Sequence, residues 1–204
     1  MESTTATWLQ PVSLEGRHVR LEPLQAAHAD DLRTAACDGK LWTLWYTSAP
    51  SPAGVEAYVA TAIAERDAGL SLPFTVRDAD GAIVGSTRYC HVDATNRRLE
   101  ISYTWYAARA QRTGLNTEAK LLLLGHAFET LGCIAVEFRT NWFNQRSRAA
   151  IARLGAKQDG VLRNHMRMPD GSYRDTVVFS IIASEWPAVR RNLLFMLEDG
   201  VQRA

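Results

Sequence analysis

Apolar and polar residues alternate through RHVRLEPL, residues 17–24, and predict a first strand that ends near Pro23. The spacing then becomes helical in AAHADDLRTAAC, where Ala29, Leu32 and Ala36 share one side. GKLWTLWYTSAPSP is aromatic-rich and broken by prolines, which predicts an irregular loop with one helical turn. AGVEAYVATAIAERDAG returns to helical spacing through Val55, Tyr58, Val59, Ala62 and Ile63, with Gly69 as the stop. LPFTVRD and AIVGSTRYCHV, joined by the turn sequence DADG, form a hairpin. RRLEISYTWY is a third strand-like run, followed by a helix with Leu121, Leu124, Phe128 and Leu131 as its apolar stripe. CIAVEFRT is nearly all apolar, as a strand buried on both faces requires. NQRSRAAIARLGA reads as a helix capped by Asn144 and ended by Gly155. A last hairpin spans KQDGVLRNHMRM, PDGS and YRDTVVFSII, and SEWPAVRRNLLFML closes the chain as a helix. The order β-α-α-β-β-β-α-β-α-β-β-α predicts an α/β (α+β layered) fold, a mixed sheet covered by helices. The helix joining RLEISYTWY to CIAVEFRT predicts a right-handed parallel crossover.

Composition narrows this picture. A chain of 204 residues favours a single domain over 1–204, with an N-terminal extension over 1–12 and a C-terminal helix over 184–204. A net charge of +1 argues against nucleic-acid or membrane binding driven by charge alone. Cys37, Cys90 and Cys133 are too far apart for a metal motif and odd in number, so they read as small core residues in a reduced compartment. The first residues lack a basic start followed by an apolar run, and the longest aliphatic run is LLLL. The expectation is a soluble, cytoplasmic protein with no metal.

The candidate chemistry lies where AQRTGLNTEAKLLLL turns from strand into helix. The first amides of a helix lack internal partners, and the helix dipole adds positive charge there. Gly114 permits close approach, and Arg109 and Arg112 add charge, so a phosphate or pyrophosphate suits this mouth. Neither G-x-x-x-x-G-K-[ST] nor G-x-G-x-x-G is present. Equally, a turn of this kind can be no more than a polar entry to a core helix.

QRTGLNTEA resembles the Q/R-x-x-G-x-A/G motif of the GNAT superfamily of acyl-CoA-dependent N-acyltransferases, with Gln111 and Gly114 matching and Asn116 standing where that family prefers Gly or Ala. NQRSRAAIARLGA resembles the N-x-x-S…L-G segment of its ribosomal-protein N-terminal (RimJ/RimL-like) acetyltransferase branch, and LEGRHVRLEPL and the final EW resemble that branch's two ends. The resemblance implies a splayed central sheet of about seven strands flanked by helices, with acetyl-CoA as co-substrate. It implies cofactor contacts from Gln111, Arg112, Thr113, Gly114, Leu115, Asn116, Thr117, Asn144 and Ser147. It places an oxyanion donor at the backbone near Trp105 or Tyr106, with Ser147 or a tyrosine such as Tyr106 as proton donor. Glu100 becomes the candidate base, against the plainer reading that it pairs with Arg88, Arg98 or Arg139. His91 and His165 are candidate proton shuttles. Trp42, Trp45 and Tyr46 would border the acceptor, and Arg88 and Arg139 would take an acceptor carboxylate. The function so implied is acetyl transfer to a primary amine, on a protein N-terminus or a small molecule, by a monomer or homodimer. The rival is a non-catalytic CoA- or phosphate-binding regulatory module.

Overall fold

The structure is a computed structural model that describes residues 8–202. Residues 1–7 of the expected N-terminal extension and 203–204 of the last helix therefore lie outside the described part. The strands are β1 (Leu14–Glu15), β2 (Val19–Pro23), β3 (Leu72–Asp78), β4 (Ile83–Asp93), β5 (Arg98–Tyr106), β6 (Ala135–Asn141), β7 (Lys157–Arg167) and β8 (Tyr173–Ile182). The α-helices are α1 (Ala29–Cys37), α2 (Val55–Asp67), α3 (Leu115–Gly125), α4 (Gln145–Arg153) and α5 (Trp186–Gln202). One sheet of eight strands runs in the order β1-β2-β3-β4-β5-β6-β8-β7. The strand beyond the expected seven is β1, a two-residue edge paired to β2.

The only parallel pair in this sheet is β5 with β6, on either side of α3. The apolar run of β6 lies between β5 and β8, the central position its composition predicts. Helices cover both faces. Arg88 reaches Glu65 of α2, while the hydroxyl of its neighbour Tyr89 donates to the Leu123 carbonyl of α3 at 2.6 Å. Successive strand residues point to opposite faces, so α2 and α3 lie on opposite sides of the sheet. Leu99, Ile101, Val136, Phe138, Leu123 and Leu124 belong to the buried core.

Two expectations change. The buried residues of α3 include Leu115, Ala119, Leu123 and Leu124, while Leu121 and Phe128 are only partly buried. The chain passes into a π-helical turn over His126–Thr130, which resets the helical phase that the stripe assumed. Cys90 and Cys133 are buried, but Cys37 is exposed at the end of α1, where the core has already ended.

A bulge shapes the middle of β5. Ser86 pairs with Trp105 and Arg88 with Ser102, so Tyr103 and Thr104 together oppose Thr87. Tyr103 takes φ of 51°, which re-aims its side chain. Gly85 is required beside it, because a Cβ there would lie 2.0 Å from the Trp105 carbonyl oxygen.

Candidate active site

β5 and β6 pair at Arg98–Ala135, Leu99–Val136 and Glu100–Glu137, and no pairing follows. Beyond Glu100 the strands part, and the chain leaves them at the starts of α3 and α4. Both helix starts stand at the open end of this fork. Arg146 donates to Gln111 Oε1 at 3.0 Å, and Arg153 donates to Thr117 Oγ1 at 3.2 Å, tying the two together.

The turn into α3 is braced from several sides. Gln111 Nε2 donates to the Tyr106 carbonyl at 2.9 Å. The Thr113 hydroxyl donates to the Ala110 carbonyl and accepts from the Leu115 amide. Arg112 takes φ of 61°. Glu118, which the sequence reading passed over, accepts the amides of Arg17 and His18 and so clamps the β1–β2 turn against α3. Leu115 and Thr117 are buried, while Arg112 and Thr113 are exposed and Asn116 is half-buried. Asn144 caps α4, accepting the Ser147 amide at 3.0 Å, so one end of its amide is committed and the other is available.

Glu100 sits at the crotch of the fork and is 2% exposed. Its Oε2 lies 2.7 Å from His91 Nδ1 and 3.4 Å from Arg139 Nε. Of the three arginines expected as partners, only Arg139 reaches it; Arg98 pairs with Glu137 and Arg88 with Glu65. The hydrogen bond to Glu100 raises the His91 pKa above its ordinary value. His91 itself is largely exposed, so the pair joins a buried carboxylate to solvent. A cleft of about 860 Å³ opens beside it, bordered by Leu9, Glu65, Leu72, Cys90, His91 and Tyr103. Cys90, His91 and Glu100 stand close enough to share an ion, but Arg139 already holds the carboxylate. Burial also drives the Cys90 pKa upward, away from the thiolate that a metal needs.

Two expected roles do not fit. Arg88 is 2% exposed, ion-paired at 2.7 Å to Glu65 and stacked on the Tyr58 and Tyr103 rings, so its charge is already matched within the fold, although its Nε has no acceptor. The Tyr106 hydroxyl is wholly buried, and burial raises its pKa, so the side chain is removed from proton transfer. The aromatic loop does border the fork. Trp42 packs near Trp105 and Tyr106, Trp45 meets Tyr46, and Trp45 also meets Phe143 with ring centroids 5.5 Å apart. Phe143 is 61% exposed and extends the wall from the β6–α4 turn, a role not foreseen from its isolated place in TNWFN. His165 lies aside, with Nδ1 3.1 Å from the Thr176 hydroxyl.

The sequence reading also missed Lys120. Its side chain is buried between α3 and β5, and its amine donates to Thr104 Oγ1 at 2.8 Å. Thr104 in turn shares a hydrogen bond with Thr87 at 2.7 Å. Burial lowers the Lys120 pKa to about 7. The available signal was a lysine in the second turn, directly before the apolar run LLLL.

A family profile described as "Acetyltransferase (GNAT) domain" matches residues 18–157. The chain belongs to the GNAT acetyltransferase family. A Brucella melitensis structure described as a GCN5-related N-acetyltransferase is 31% identical, with a TM-score of 0.84 over 93% of this chain and 86% of its own. The Bacillus subtilis protein named "Putative ribosomal N-acetyltransferase YdaF" is 32% identical over 107 residues, which is 52% of this GNAT chain and 57% of that protein. Mycobacterium smegmatis RimJ, solved with CoA-disulfide, is 22% identical with a TM-score of 0.76 over 91% of this chain and 95% of its own, a likeness of fold. Among the described residues no helix is long and apolar enough to cross a membrane.

Proposed function

We propose that this GNAT chain transfers an acetyl group from acetyl-CoA to a primary amine. The observation that carries the proposal is the fork itself: paired strands that part after Glu100, with two tied helix starts at the open end. When bound, acetyl-CoA supplies an acyl thioester. The amine nitrogen bonds to the acyl carbon, the carbon–sulfur bond breaks, the amine gives up one proton and the sulfur takes one.

The site residues fit that co-substrate. The amides at the start of α3 suit a diphosphate, and the Gly114 backbone is open enough that even a Cβ would make only ordinary contacts, at 3.4 Å from His18 and 3.5 Å from Leu197. Gln111 and Arg146 hold the loop in shape. The uncommitted end of the Asn144 amide would hold the pantetheine arm, and the Ser147 hydroxyl beside it would supply the sulfur's proton. The bulge sets Tyr103 and Thr104 together against Thr87, and the backbone amide of Trp105 or Tyr106, just beyond it, serves as oxyanion donor. Glu100 takes the amine proton, directly or through water, and His91 passes it to solvent. The amine enters from the cleft beside Tyr103, and Trp42, Trp45, Tyr46 and Phe143 wall the other side. Acceptors divide between protein N-termini and small amines, and the name of YdaF, a putative ribosomal N-acetyltransferase, favours a ribosomal acceptor.

Release of free thiol from acetyl-CoA on a panel of amines tests the reaction, and Gly114→Trp tests the site. The Cβ of a Trp fits there, but its indole meets His18 and Leu197 and has to displace the turn that presents the amides. Acetyl-CoA affinity is expected to fall about tenfold or more by calorimetry, with the fold intact by circular dichroism. Unchanged affinity would remove the loop from the cofactor site. Binding without turnover on any amine would leave a non-catalytic CoA-binding module.

A further inference from the structure

Among the described residues, the sheet face at the fork carries a guanidinium without an ion pair and a buried amide donor without an acceptor, beside an Arg88 whose charge Glu65 already matches. Glu137, Arg139 and Asn141 alternate along β6 and share the face on which Arg139 meets Glu100. Thr176 of β8 stands directly opposite Asn141, and Arg174, two residues earlier, falls on the same face. The nearby carboxylates are already taken: Glu65 by Arg88, Glu137 by Arg98 and Arg139, Glu100 by His91 and Arg139. Arg174 forms no salt bridge among the described residues, and its Nε is buried without an acceptor. Burial lowers its pKa, while the Glu100 carboxylate acts in the opposite direction, which sets the two groups in one neighbourhood.

Asn141 is 2% exposed. Its Oδ1 accepts the Phe143 amide at 2.9 Å, which fixes the orientation of the side chain and leaves Nδ2 buried without an acceptor. A half-buried guanidinium with no ion pair and a buried amide donor without an acceptor are each costly. Here both are donors, both lie on the same face, and both border the place where the strands part. The guest that relieves both is an anion with two acceptor oxygens, and a carboxylate matches the planar guanidinium best.

We propose that Arg174 and Asn141 form a carboxylate-binding subsite beside the fork, a reading that rests on the acetyltransferase assignment above. The carboxylate comes either from the acceptor, as in a free amino acid, or from the far end of a dicarboxylic acyl thioester. It is not a cofactor phosphate, because those are held at the helix starts. The role expected of Arg88 thus passes to an arginine that is still unpaired, and Arg139, already shared between Glu100 and Glu137, orients the base.

Two comparisons on the full chain separate the sources. With acetyl-CoA as donor, phenylalanine is set against phenylalaninamide. With phenylalaninamide as acceptor, succinyl-CoA is set against acetyl-CoA. One carboxylate-bearing partner is expected to win by about 10- to 100-fold in kcat/KM. A preference in the first comparison assigns the subsite to the acceptor, and one in the second assigns it to the acyl chain. Arg174→Gln and Asn141→Asp are each expected to bring that ratio close to one while changing the neutral partner by less than about threefold, and Arg174→Lys to keep part of it. Calorimetric affinities for the same four molecules repeat each comparison without turnover, with amines measured in the presence of CoA. A protein that binds but does not react therefore sinks the enzymatic reading and still decides the subsite. No carboxylate preference in either comparison, or a preference that survives both Arg174→Gln and Asn141→Asp, overturns the proposal.

Discussion

Glu100→Gln is expected to lower kcat for acetyl transfer by about 100- to 10,000-fold while leaving acetyl-CoA affinity unchanged. The amide has the shape of the carboxylate, and with its oxygen at the Oε2 position it still accepts from Arg139 and from the His91 Nδ1–H, so the crotch of the fork stays intact while its capacity to take up a proton is lost. The pH dependence carries the sign. Glu100 can pass a proton outward only when His91 is neutral, and their hydrogen bond raises the His91 pKa above 6.5. Activity of the unmodified protein is therefore expected to fall as pH drops through that raised value. His91→Gln, which keeps a polar partner but cannot shuttle, should remove the acidic limb and lower kcat less than Glu100→Gln does. If Glu100→Gln keeps kcat within about threefold of the original, the proton leaves by another route, and Glu100 is only the ion-pair partner of Arg139.

The layered fold was legible because each element carries its own period and punctuation. The hairpin around DADG, the Asn144 cap and the Gly155 stop at φ of 99° are local chemistry, and the structure keeps all three. β6 could be placed inside the sheet from its apolar start, Ala135, Val136 and Phe138, although Glu137, Arg139 and Asn141 line its other face toward the fork. The fork and the bulge were not legible from periodicity. Where two parallel strands cease to pair is set by what packs on each arm, and a bulge depends on Gly85 yielding to the Trp105 carbonyl, a contact between residues on different strands.

The same division holds for the site. The loop motif and the Asn144–Ser147 helix start are short, contiguous signals. Which arginine remains unpaired is not contiguous at all. Arg88, Arg98, Arg139 and Arg174 all lie on sheet strands, and only the register reveals that the first three have carboxylate partners. Phe143 joins Trp45 across about a hundred residues of chain, a contact that no spacing rule contains.

Lys120→Met is expected to raise stability at pH 6 by on the order of 3 kcal/mol and to change it little near pH 10.5. Lys120 titrates at about 7 in the fold, against 10.5 for an ordinary lysine. The unfolded chain therefore binds this proton more tightly than the folded one, and stability rises with pH between those two values. Below pH 7 the folded protein carries a buried ammonium with Thr104 as its hydrogen-bond partner, and the full penalty applies. Methionine keeps the length and removes the charge, so its stability curve should be flatter across this window. Urea midpoints for both proteins at pH 6, 8 and 10 measure the difference, and parallel curves would mean that the amine is hydrated in the fold. A residue that costs stability at neutral pH invites a functional account, and its contacts supply one. Through Thr104, Lys120 grips the β5 bulge from the side opposite Glu100, and Thr104 is one of the two residues that together oppose Thr87 there. A stabilised Lys120→Met protein should therefore be a poorer catalyst, with a lower kcat and an unaltered affinity for acetyl-CoA, because the bulge would lose the hydrogen bond that holds it in register.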